Sequence, residues 1–169
     1  AALIAVLGLV PKIDLAAGVP ITAQSLGIML CGTVLGAKRG ALAVLLFLAL
    51  VAAGLPLLSG GRGGIGVFAG PSVGFLVGFP IAAFVAGWVM ERTTLSPAVA
   101  ATAASVIGGI GVMYVFGIAG MALVLGKSLS EAAVLAFAFL PGDAVKAVIA
   151  GLVTQSLARM RPASLLSRA

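Results

Sequence analysis

Asp143 and Lys146 are the residues of this 169-residue chain whose types and spacing most directly offer chemistry. A carboxylate and an ammonium three residues apart share one face of a helix, and here they precede an apolar stretch, Ala147–Val153. Charges at the end of a membrane-grade segment are costly and normally point inward to a partner. Two readings stay open. One is a polar-solute site with an acceptor at Asp143 and a cation at Lys146. The other is a structural ion pair, with Asp143 capping the helix or Lys146 snorkelling to the interface. Thr22 and Gln24 stand at the start of another apolar segment. Either they cap it, a task Ser25 can do alone, or the Gln24 amide reaches into a cavity. The stretch Ser59–Gly74 is rich in glycine, Gly64 and Gly70 among them, and Arg62 is its only charge. It also carries Val67, Phe68 and Pro71, with Phe75 just beyond, which a plain linker does not need. A lid is expected, with backbone groups and Phe68 facing a solute.

Three further patterns resemble catalytic motifs. Gly70-Pro71-Ser72-Val73-Gly74 matches the nucleophile elbow, but the chain has no His and no strand before it. A hydrolase using Ser72 would need Lys as its base. Gly61-Arg62-Gly63-Gly64-Ile65-Gly66 matches a dinucleotide fingerprint but lacks the strand–helix–strand unit that gives it meaning. Around Gly126-Lys127-Ser128 a phosphate loop fails because Met121 takes the place of its first glycine. No cofactor is expected. The single Cys31 makes neither an internal disulfide nor a metal site. Uphill transport would draw its energy from a partner or an ion gradient.

The elements that must hold these residues are set by composition. Hydrophobic residues make up 62% and charged residues 8%, which excludes a soluble or disordered chain and implies burial in a membrane. The few charges delimit uncharged runs at Leu15–Ala37, Gly40–Gly61, Gly63–Met90 and Thr93–Gly126, the last long enough to include a loop. An all-α integral membrane protein is expected: one domain over 1–169 with six transmembrane helices near 1–11, 22–37, 40–54, 71–91, 96–118 and 143–160. The first helix is expected to be truncated, and a short extra helix falls at 131–140. Period-two alternation is absent, so a barrel is not expected. Lys38, Arg39, Glu91, Arg92, Arg159, Arg161 and Arg168 fall on one side, and Lys12, Asp14, Arg62, Lys127, Glu131, Asp143 and Lys146 on the other. The first, more basic group is expected to face the cytoplasm, with both termini. The net charge of +6 reports topology; without an aromatic-laced basic stripe it does not suggest nucleic-acid binding. Gly74 with Gly78, and Gly108 with Gly109 and Gly111, suit close helix packing, while Ala1 and Ala5 form a small-residue pair that could face outward.

The segments VPITAQSLGIMLCGTVLGAKRGALAVLLFLALVAAGLP, GGRGGIGVFAGPSVGFLVGFP and PGDAVKA, in that order, resemble the BioY family of biotin-binding S components of energy-coupling factor transporters. The likeness runs from about Leu3 to Arg159. One departure is Phe75, where many relatives are expected to carry Tyr, so a hydroxyl is missing from the site region. The resemblance implies a six-helix S-component fold in a prokaryotic cytoplasmic membrane, with biotin held near the outer face. It implies a transmembrane T component, touched by Ala1 and Ala5, and two cytoplasmic ATPase subunits. Asp143 would accept from the ureido N–H groups of biotin, and Gln24 or Lys146 would donate to an oxygen. Phe68 and Tyr114 would flank its apolar part, and Lys146 or Arg62 would neutralise its carboxylate. The alternatives are an S component for another vitamin, an intramembrane hydrolase using Ser72, and a purely structural membrane subunit.

Overall fold

The computed structural model describes residues 1–13 and 18–168; Asp14 lies outside them. Its helices are α1 (Ala2–Leu7), α2 (Gln24–Leu35), α3 (Ala37–Ala52), α4 (Val73–Arg92), α5 (Pro97–Leu125), α6 (Leu129–Phe137) and α7 (Leu140–Met160). Among the described residues β-structure is limited to two isolated bridges, Ile13 to Ile21 and Leu58 to Arg62.

The order of helices follows the charge-delimited runs, but several boundaries differ. The expected first helix, 1–11, stops at Leu7, where Gly8 begins a turn and Pro11 bars continuation. The third helix starts at Ala37 rather than 40, so Lys38 and Arg39 occupy its first turn. Gly36, with φ of 84°, separates it from α2 in a conformation that disfavours other residues. The loop expected within 93–126 is confined to 93–96. From there α5 runs unbroken from Pro97 to Leu125, with a π-helical segment at Ser105–Val112. The short extra helix lies at Leu129–Phe137, where Ser128 and Glu131 form a reciprocal capping box. The last helix begins at Leu140, ahead of Asp143, because proline is tolerated in a first turn and Pro141 does not delay it.

Side-chain contacts fix the direction of each helix. Gln24 and Ser25 open α2: Gln24 donates to the Leu57 carbonyl in the loop after α3, and Ser25 lies beside Asp143 and Lys146 near the start of α7. At the far ends of the same two helices Thr33 and Thr154 share a buried hydrogen bond of 3.1 Å. Helix α4 runs the same way, from Phe75 to Glu91, whose Oε1 accepts from the Ala37 N–H at the start of α3 at 2.8 Å. Helices α3 and α5 run back between them. The basic group gathers at one end: the tail that follows Arg161 folds under α2, with Ser167 Oγ donating to the Thr33 carbonyl, and an Arg168 Nη donates to the Leu95 carbonyl at 3.0 Å. Arg62, Asp143 and Lys146 lie at the other.

Small residues let these helices approach. A Cβ on Gly74 would strike the Phe116 carbonyl and the backbone of Gly120, which locks α4 against α5. Gly78, Gly108 and Gly109 also lie at helix contacts, whereas Gly111 is exposed and meets only its own helix. Helices α4 and α5 are each long and apolar enough to cross a membrane, and α6 with α7, bent by 57°, offers a third span if taken together. With 12 residues, α2 reaches only about 18 Å of a roughly 30 Å hydrocarbon core.

Candidate functional site

Between α2, α4, α5 and α7, at the end away from the basic tail, lies a cavity of about 620 Å³ including its mouth. Its walls are mostly apolar. Phe75, Leu76 and Phe79 project from successive turns of α4, Met113 comes from α5, and Phe139 from the junction of α6 and α7. Val19–Thr22 and the turn holding Leu58 and Arg62 close the sides. Phe75 is held edge-on against Tyr114 and Phe139, with ring centroids 6.3 and 5.8 Å away. It lies directly on Gly117, where a Cβ would occupy the space of the ring. Pro80, inside α4, leaves the Leu76 carbonyl without its helical donor on the turn that lines the cavity.

One polar cluster interrupts these walls. Asp143 is 5% exposed and inside the first turn of α7. Its Oδ1 accepts from Ser25 Oγ at 3.0 Å and from Lys146 Nζ at 2.9 Å, and its Oδ2 accepts from Tyr114 Oη at 2.8 Å. Lys146 also donates to the Thr22 carbonyl at 2.7 Å and to Ser25 Oγ at 2.9 Å. All three ammonium donors are therefore engaged, while the carboxylate keeps about one acceptor position open. Neither Asp143 nor Ser25 caps its helix: the side chain of Asp143 serves this cluster instead of the helix end, and Ser25 bonds Asp143. Thr22 instead accepts from the Gln24 N–H.

Gln24 lines the cavity but is tied down. Its Nε2 donates to the carbonyls of Ile4 and Leu57, and its Oε1 accepts from the Ser59 N–H at 3.0 Å. Both amide protons are thus spent on joining α1, α2 and the loop before Arg62. Among the described residues Arg62 bonds through Nε alone, to the Ser59 carbonyl at 3.2 Å, which leaves its terminal guanidinium nitrogens for another partner.

The structure thus brings together Asp143, Lys146, Thr22, Gln24, Arg62 and Phe75, with Tyr114 behind them bonded to Asp143. It does not bring Gly64, Phe68 or Gly70 to the cavity. The Leu58–Arg62 bridge brings those two residues to the wall, and the following 3-10 turn, Ile65–Ala69, carries Phe68 away to pack on the core. Ser72 does reach the wall, but Lys146 is fully hydrogen-bonded elsewhere and is no base for it. Ala1 and Ala5 are half-buried against the core, whereas Leu3 and Val6 form the exposed side of α1. Sequence reasoning missed Ser25 as a member of the cluster and missed Phe79, Met113 and Phe139 as walls. Ser25 carried a signal, being a hydroxyl in an apolar helix next to Gln24; the apolar walls did not differ from core residues.

The family described as the BioY family matches residues 1–163. A protein of Rhodobacter capsulatus named "Biotin transporter BioY" is 53% identical, over 99% of this chain and 94% of its own length. One of the same name from Rhizobium etli is 52% identical, over 93% of this chain and 88% of its own. A solved structure of "the S-component for biotin from an ECF-type ABC transporter" superposes with a TM-score of 0.89 at 31% identity, covering 94% of this chain and 86% of that one.

Proposed function

The chain belongs to the BioY family, and from that membership we propose that it captures biotin as the S component of an energy-coupling factor transporter. It is a transport subunit, not an enzyme. The observation that carries the ligand is the Asp143–Lys146 cluster set in an otherwise apolar cavity. Biotin presents a ureido ring with two N–H donors and one carbonyl, an apolar thiophane ring and chain, and a carboxylate tail. The open acceptor position on Asp143 suits a ureido N–H. Lys146 meets the ureido oxygen by exchanging its bond to Ser25 Oγ or Thr22 O. Phe75, Phe79 and Phe139 take the apolar ring, in place of Phe68. Arg62, with free donors at the cavity, takes the carboxylate in preference to Lys146, whose donors are committed. Gln24 and Tyr114 position the site.

The wider assembly follows the same reading. The basic end, which holds the C-terminal tail, faces the cytoplasm of a prokaryotic cell and the cavity faces outside, in a bundle of six crossings. The short α2 is accommodated within the bundle. A transmembrane T component and two cytoplasmic ATPases supply the energy, and the exposed side of α1 contributes to the face that meets the T component. Mass spectrometry of solute co-purifying with the detergent-solubilised protein tests the ligand. Biotin at about one per chain is expected after expression in biotin-rich medium. Its absence, or the presence of another vitamin in its place, overturns the assignment.

A further inference from the structure

At the opposite end from the cavity, α3 and α4 border an open groove of about 880 Å³ whose walls include Lys38, Arg39, Arg92, Phe84 and Trp88. Its charge is unbalanced. Lys38 and Arg39 stand in the first turn of α3, where the helix dipole already disfavours cations, and no acid accompanies them there. Among the described residues the one acid lining the groove, Glu91, accepts from the Ala37 N–H that opens the same helix. Three cations thus face one carboxylate that is already engaged. The Arg92 guanidinium lies 4.4 Å from the Trp88 ring centroid, a cation–π pair that holds it over the groove.

The apolar surface leading from this charge has a direction. Trp88, Phe84, Ile81 and Val77 are exposed and follow at spacings of four, three and four along α4, so they form one stripe. On α3, Leu42, Leu45 and Leu46 are exposed four, seven and eight residues beyond Lys38, on the same face as that cation. A head of cations continuous with two apolar stripes matches a molecule with an anionic head and hydrocarbon chains. Given only that the chain lies in a membrane, we propose that this groove binds an anionic phospholipid, with its phosphate at Lys38, Arg39 and Arg92 and its acyl chains along the α3 and α4 stripes.

Trp88 is the only tryptophan, so its fluorescence reads this groove alone. The purified protein would be titrated in mixed micelles with phosphatidylglycerol or phosphatidylcholine carrying brominated acyl chains, which quench a tryptophan they touch. Inorganic phosphate serves as the head-only control. Phosphatidylglycerol is expected to quench at a lower mole fraction than phosphatidylcholine, and phosphate is expected not to compete at matched ionic strength. Lys38→Gln should raise the phosphatidylglycerol midpoint by about fivefold, the increment of one cation at an anionic surface. Lys38→Gln/Arg39→Gln/Arg92→Gln should make the two lipids equivalent. Solute binding at the far cavity should be unchanged in both variants, which confirms their folding independently of the lipid result. Equal quenching by the two lipids in the unmodified protein overturns the proposal and leaves the cations to topology or to a protein contact. A preference that survives the triple variant overturns the placement of the phosphate, and displacement by free phosphate overturns the lipid as occupant. If the triple variant does not fold, Lys38→Gln alone decides.

Discussion

Asp143→Asn separates a ligand site from a mere structural pair. The substitution keeps the volume, removes the charge and exchanges one acceptor oxygen for an N–H donor. In the native cluster Oδ1 faces two donors, Ser25 Oγ and Lys146 Nζ, and Oδ2 faces the Tyr114 hydroxyl at 2.8 Å. Asn meets this best with its oxygen towards Lys146 and its amide towards Tyr114, whose hydroxyl rotates to accept. The ion pair is lost and the Lys146 charge stays largely buried, with 15% of its side chain exposed. Removing one partner of a fully buried pair costs about 3–5 kcal/mol. Lys146 keeps the Thr22 and Ser25 oxygens beside the new amide oxygen, and some solvent, so about 2 kcal/mol of stability is the expected loss. Binding loses more than a neutral hydrogen bond, because a ureido N–H no longer meets a carboxylate. A charge-assisted bond contributes about 1.5–3 kcal/mol, which corresponds to roughly 10- to 150-fold in affinity. Isothermal titration of the purified variant with biotin measures this directly, and affinity within twofold of the native protein refutes the assignment. The double variant Asp143→Asn/Lys146→Met sharpens the distinction. It removes the orphaned charge, so its thermal stability should recover relative to the single variant. Its biotin affinity should not recover, and if it does, the pair is scaffold.

Four other substitutions probe the surrounding parts. Arg62→Gln should weaken biotin by about tenfold yet leave biotin methyl ester unaffected, since only the free acid presents a carboxylate; equal losses for both ligands would exclude Arg62 from that contact. Gly117→Ala pushes the Phe75 ring off its seat, and overpacking of about 1–3 kcal/mol should appear as a lower melting temperature together with weaker binding. In Tyr114→Phe one donor to Asp143 disappears while the carboxylate keeps two others, so titration should show a loss of about three- to tenfold, smaller than that of Asp143→Asn. Gln24→Leu strands two carbonyls and one N–H at the junction of α1, α2 and the following loop; a stability loss of at least about 2 kcal/mol should show in thermal denaturation.

What could be read from residues alone depended on whether a position carried charge. Charge-delimited runs located α2 to α5 because a membrane tolerates ionic groups mainly at its edges. Asp143 and Lys146 stood out for the same reason, and the structure joins them at 2.9 Å. Boundaries failed where the decisive contact was distant in sequence. Nothing in SVIGGIGV announces a π-helical segment, because that geometry answers to the packing of Gly108 and Gly109 on α4 and α2. Phe68 and Phe75 have the same chemistry and differ only in where a turn directs them. The Leu58–Arg62 bridge, which sends Arg62 inward and Phe68 away, is a backbone event between residues of unremarkable type. Apolar walls such as Phe79 and Phe139 could not be told from core residues, since both are hydrophobic residues on buried helix faces.

The closed state of the polar cluster bears on how affinity and selectivity divide. Within the protein Lys146 has three donors and three oxygen partners, and Asp143 has three donors around it. A ligand therefore exchanges bonds at this cluster more than it adds them, and exchange contributes little net free energy. The bulk of the affinity must come from covering Phe75, Phe79, Phe139 and Met113 and from the uncommitted donors of Arg62. The cluster instead penalises wrong solutes, because a ligand that displaces Ser25 or Thr22 without matching donors and acceptors strands a buried charge. Truncating the acyl tail of the ligand should then lower affinity steadily at constant ring preference. Altering the ureido ring should abolish binding in one step, even where the apolar contact area is conserved.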